Sequence, residues 1–157
     1  MDVISPLSKQ LATAYPDISF QSGDTFEWSP TSKTVTFDPG DPNAAALLLH
    51  EVAHAVLGHS SYSRDVALVS METDAWQHAR TLSETYNIPI NEQVVESHLD
   101  TYRAWLHQRS TCPSCVSTGL QVGAKHYRCL ACTQEWQVNE ARLCALRRYS
   151  LNKKAPV

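Results

Sequence analysis

The sequence predicts an α+β fold: a small domain with a short antiparallel sheet and three or four helices, followed by a separate cysteine-rich module. Three observations predict it. Residues 18–37 alternate apolar and polar positions in short runs, whereas the apolar positions of residues 44–57 and 94–106 recur at helical spacing. All five cysteines, Cys112, Cys115, Cys129, Cys132 and Cys144, fall in the last third of a 157-residue chain. That length suits one core of ordinary size with a small appendage, and the composition shift places the boundary between residues 1–109 and 110–157.

Taken in order, Leu7, Leu11 and Ala14 follow Pro6 at helical spacing and predict a first helix from Ser5 to Tyr15, ended by Pro16. Ile18, Phe20, Phe26, Trp28, Val35 and Phe37 then predict an antiparallel sheet with a hairpin about Ser29–Ser32, its last strand being Lys33–Phe37. Asp41 and Pro42 supply a capping carboxylate and a first-turn proline, so a helix begins near Pro42 and stops at Gly58. A second helix is predicted over about Asp65–Tyr86, and Asn87-Ile88-Pro89 breaks it. A third runs from Asn91 to about Gln108, with Val94, Val95, Leu99, Tyr102 and Leu106 on its apolar face. A last helix is expected over Asn139–Tyr149, with Cys144 packed on it.

The helix after Pro42 carries HEVAHAVLGH, residues 50–59. His50 and His54 differ by about 40° in azimuth, so both imidazoles project from one face, one turn apart. Such a pair with a glutamate after the first histidine is the ligand pair and general base of a zinc peptidase. The surrounding apolar residues predict a buried helix, in which polar groups need partners. Two histidines leave a catalytic zinc one protein ligand short; the candidates are His59, Glu72, Asp74, His78 and His98. His59 lies half a turn away if the helix continues and is expected instead at the helix end, against the last carbonyls. Glu72, on the next helix, comes back level with the histidines after a short reversal.

The cysteines contain a second signal. Cys112-Pro113-Ser114-Cys115 and Cys129-Leu130-Ala131-Cys132, with thirteen residues between them, have the spacing of a zinc ribbon, whose four thiolates close a structural tetrahedral site. Two zinc ions are therefore expected, one catalytic and one structural.

HEVAHAVLGH followed by METDAWQHA resembles the glutamate-zincins, and especially the small cytoplasmic ImmA/IrrE-like metallopeptidases. The resemblance covers roughly residues 25–85 and includes a strand before the zinc helix similar to the edge strand that lines the zincin cleft. It implies His50, His54 and Glu72 as zinc ligands and Glu51 as the base. Where related enzymes place an aspartate four residues after the ligand glutamate, this chain has Trp76, which leaves Asp74 as an alternative partner or ligand. The appended ribbon is similar to that of SprT-like proteases.

The expected function is hydrolysis of a peptide bond in a specific intracellular protein, for instance a DNA-bound regulator, by a zinc-activated water with Glu51 as general base. Tyr62, His78, His98 and Tyr102 are candidate donors to the oxyanion. The alternative is a non-catalytic zincin-like protein that binds nucleic acid or a protein partner. Charge bears on partners: residues 1–100 carry 14 acidic and 4 basic side chains and residues 101–157 carry 2 and 9, for an overall −3. The basic C-terminal region, with Lys125, Arg128, Arg142, Arg147, Arg148, Lys153 and Lys154, suits nucleic acid or an acidic partner. No apolar run reaches membrane-spanning length, and the N-terminus lacks a basic start and an apolar signal core; a cytoplasmic protein without membrane contact is expected.

Overall fold

The computed structural model describes residues 2–140 and 147–151. Its elements are α1 (Ile4–Ala14), β1 (Ser19–Ser22), β2 (Glu27–Ser29), β3 (Thr34–Phe37), α2 (Ala44–Val56), α3 (Asp65–Tyr86), α4 (Glu92–Ser110), β4 (Gly119–Gly123), β5 (His126–Cys129), β6 (Glu135–Val138) and β7 (Arg148–Ser150). The fold is α+β. The chain forms two compact units, residues 1–61 with 70–96 and residues 62–69 with 97–157. Among the described residues no helix is long and apolar enough to cross a membrane.

In the first unit, the Asp2 carboxylate accepts hydrogen bonds from the backbone N–H groups of Ile4 and Ser5 and opens α1. The sheet order is β1-β3-β2. The expected hairpin is β2–β3, antiparallel, with Trp28 opposite Val35. The expectation of an all-antiparallel sheet is corrected by β1, which runs parallel to β3 with Phe20 opposite Val35. Apolar alternation reports which face of a strand is buried, not which neighbour it pairs with or in which direction. Helix α2 packs on β2 and β3 and buries Leu48, Leu49, Val52 and Ala53 completely, as β3 does Val35. The helix begins two residues later than Pro42: Asp41 acts one step earlier, its carboxylate accepting the N–H of Asn43.

In the second unit, β4-β5-β6-β7 form an antiparallel meander. One face buries Tyr127, Cys129, Trp136 and Val138 with Cys112, and the cross-strand pair Tyr127 and Trp136 stacks at 5.7 Å between ring centroids. A Cβ at Gly119 would lie 2.3 Å from the Trp136 ring, so only glycine lets β4 pass that close. The helix expected over Asn139–Tyr149 is corrected in part: Asn139 and Glu140 are not helical, and Arg148–Ser150 pair with β6. A three-residue edge strand whose side chains are all exposed is held by its backbone ladder and leaves no side-chain pattern to read. Residues 141–146, including Cys144, lie outside the described residues.

Candidate metal centres

His50 and His54 are buried on α2 and Glu72 is buried on α3. Their functional atoms converge. His50 Nε2 lies 2.9 Å and His54 Nε2 3.3 Å from Glu72 Oε2, and the two imidazole nitrogens are 3.1 Å apart. A cation with bonds of about 2.0–2.1 Å to nitrogen and oxygen sets tetrahedral edges of about 3.3–3.4 Å, so a metal fits this triangle with little adjustment. Its chemistry agrees: two buried imidazole nitrogens and a carboxylate oxygen are the donor types that zinc takes. Burial works to neutralise Glu72, but hydrogen bonds from both histidines outweigh it and hold the carboxyl well below its ordinary range. His54 is likewise desolvated, yet the Glu72 hydrogen bond and charge push it up.

Glu51 is half-buried and stands beside this set. Desolvation pushes its carboxyl up to about 7, against the His54 charge and a hydrogen bond from the Trp28 backbone in β2. The carboxylate thus lies close to both the His54 imidazole and the backbone of β2.

Of the alternatives for a third ligand, Asp74 is exposed and Glu72 only 6% exposed. His78 is half-buried on α3, while Tyr62, His98 and Tyr102 belong to the second unit. Trp76 is fully buried, and its ring stacks on His50 at 4.3 Å with 28° between planes. One turn apart on α3, Glu72 thus bonds the His50 nitrogen and Trp76 covers the imidazole face. An aromatic surface orients His50 where the resemblance implies a carboxylate.

His59 lies at the helix end as expected, but its ring has a different partner. Gly58 adopts φ +69°, and its N–H bonds Ala55 O while the His59 N–H bonds His54 O. This paired closure is the glycine cap that ends many helices and brings the residue after the glycine back over the last turn. The His59 ring accordingly meets the His54 ring, Nδ1 to Nδ1, at 2.8 Å. The Trp28 indole N–H donates to the His59 carbonyl at 3.0 Å. Burial and the neighbouring His54 charge hold His59 below its ordinary pKa. The signal was present as a glycine four residues after His54, followed by histidine. Trp28 left no comparable sign.

In the second unit, Cys112, Cys115, Cys129 and Cys132 gather at the knuckles preceding β4 and following β5. Sγ separations are 3.6 Å for Cys112 and Cys132 and 3.4 Å for Cys115 and Cys129. Those values approach the edge of about 3.8 Å set by a tetrahedral ion with bonds of about 2.3 Å to sulfur. Backbone N–H groups of Ser114, Ala131 and Cys132 point at Cys112 or Cys129 sulfur, which favours thiolates. Hydrogen bonds from Ser117 pull the Cys115 thiol down to about 6. The four cysteines, and His50 with Glu51 and His54, are groups that could hold a metal ion.

Comparison with known proteins gave no match: no family model, no curated protein and no solved structure.

Proposed function

We propose that the chain is a zinc-dependent endopeptidase of the glutamate-zincin type, as its resemblance to the ImmA/IrrE-like enzymes suggests. The observation that carries this reading is the convergence of His50 Nε2, His54 Nε2 and Glu72 Oε2 with Glu51 beside them. Held by the two imidazoles and Glu72, zinc would supply Lewis acidity toward a water and a peptide carbonyl. Glu51 would take the proton of the attacking water and return it to the leaving amine. Edge strand β2, with β3 on one side only, could pair with an extended peptide beside that carboxylate. A second zinc on the four cysteines would fold a zinc ribbon and do no chemistry, because four thiolates fill its coordination sphere.

The proposed setting is the cytoplasm, where reduced thiolates remain available for metal. The substrate would be a specific protein, with selectivity coming from contacts outside the cleft and the basic ribbon region recruiting nucleic acid or an acidic partner. The test is cleavage of a peptide library by the zinc-loaded chain and by Glu51→Gln. Loss of hydrolysis with zinc retained supports the reading, and unchanged turnover removes Glu51 from it. Salt-dependent DNA binding without zinc-dependent cleavage of any peptide would favour a non-catalytic binding protein instead.

A further inference from the structure

The helix cap after α2 does more than end the helix. Closure at Gly58 fixes the position of His59 relative to His54 through two backbone bonds, His59 N–H to His54 O at 3.0 Å and Gly58 N–H to Ala55 O at 3.2 Å. The indole of Trp28, on β2, holds the His59 carbonyl from the other side. None of these bonds uses the His59 side chain. Its ring is thereby delivered to the His54 ring, with centroids 5.1 Å apart and planes at 63°.

A neutral imidazole has one N–H and one lone pair, so two Nδ1 atoms at 2.8 Å must divide the roles of donor and acceptor. The other nitrogen of His54 decides which is which. His54 Nε2 faces His50 Nε2 and Glu72 Oε2. To offer a lone pair there, His54 must carry its proton on Nδ1, and His59 must accept it.

We propose that His59 is a positioning residue for His54: its Nδ1 accepts the His54 Nδ1–H and fixes both the tautomer and the ring orientation that present Nε2 to a metal. This rests on the reading of His50, His54 and Glu72 as a zinc centre. The partner of a metal-binding histidine is ordinarily a carboxylate, a carbonyl or water; a neutral imidazole sets the tautomer without adding negative charge. Through the Trp28 indole, β2 and the His54 ring are registered on the same residue.

The test compares the full-length chain with His59→Ala and His59→Asn, in which asparagine Oδ1 stands where imidazole Nδ1 stood and can accept the same hydrogen bond. The first measurement is competition with a chelator for the zinc equivalent that disappears in Glu72→Ala. His59→Ala should bind it about 10–100-fold more weakly, the usual effect of losing such a partner, and His59→Asn should recover most of the loss. The second is a long-range ¹⁵N–¹H correlation spectrum of the histidine rings, in which His54 should show the Nδ1–H tautomer in the wild type and in His59→Asn. Equal zinc affinity in all three chains overturns the proposal, as does an equal loss in both variants or a His54 proton on Nε2. A wild-type chain that binds zinc at the four cysteines alone overturns the zinc-centre reading itself, and the positioning role with it.

Discussion

Asp65 and Arg109, 44 residues apart in the chain, form a buried ion pair with Arg109 Nε 2.7 Å from Asp65 Oδ2. The same carboxylate oxygen accepts the Tyr127 hydroxyl at 2.6 Å. The Arg109 carbonyl accepts the Trp136 indole N–H at 2.8 Å, and its guanidinium lies over the Trp105 ring. The first residue of α3, the end of α4 and the buried face of the β4–β7 sheet are thus joined through one guanidinium and one carboxylate.

Removing one member strands the other out of water. Asp65→Ala should destabilise the second unit by about 3–5 kcal/mol, read as a lower urea midpoint for a probe within that unit. Replacing Asp65 and Arg109 together by apolar residues should recover part of the loss; a double variant as unstable as the sum of the singles would count against an uncompensated charge as the cause.

Metal content separates the two acidic candidates on α3. The wild type should bind two zinc ions per chain, Glu72→Ala one and Asp74→Ala two, because only Glu72 turns its carboxylate to the histidines. Elemental analysis after gel filtration reads this directly. Retention of two ions in Glu72→Ala would dismiss the proposed ligand set.

Gly119→Ala should be disruptive despite adding one methyl group. The new atom would meet the fully buried Trp136 ring at 2.3 Å, and overpacking of this kind costs about 1–3 kcal/mol. Thermal unfolding of the zinc-loaded chain measures it, and an unchanged midpoint would mean that Trp136 moves aside freely.

The pair Arg80 and Glu92 gives a pH signature. Glu92 accepts two hydrogen bonds from the Arg80 guanidinium, at 3.0 and 2.8 Å, which hold its exposed carboxyl below its ordinary pKa. A carboxyl lowered by folding stabilises the native state above its unfolded pKa of about 4.3 and loses that contribution as pH falls through the folded value. Glu92→Gln should therefore be slightly less stable than the wild type at pH 7 and indistinguishable from it near pH 2. A difference that persists at low pH would assign the effect to packing.

Much of this architecture was legible in the residues. The spacing of His50, His54 and the paired cysteines reports geometry directly, because one turn of helix or one knuckle fixes where those side chains point. Helix α3 matches its predicted bounds, Asp65–Tyr86. What pattern does not encode is the identity of partners. Nothing in Phe20 or Val35 reveals that their strands run parallel, and nothing in Trp76 announces stacking on a histidine 26 positions earlier. His59 closes the helix as expected, but its ring meets His54 and not the last carbonyls, because azimuth along an ideal helix stops applying where Gly58 takes a positive φ.

The membership of Tyr62–Val69 has a consequence for synthesis. This short stretch belongs to a unit otherwise drawn from residues 97–157, while the residues on either side of it belong to the other. As the chain leaves the ribosome, Asp65 emerges long before Arg109 and Tyr127 have been made, so its native partners do not yet exist. Domains ordinarily fold as units from the N-terminus, but here neither unit is severed from the other by a single cut. The ion pair can close only after Arg109 has emerged, and a chain cut short before that residue would carry the Asp65 carboxylate without its cation.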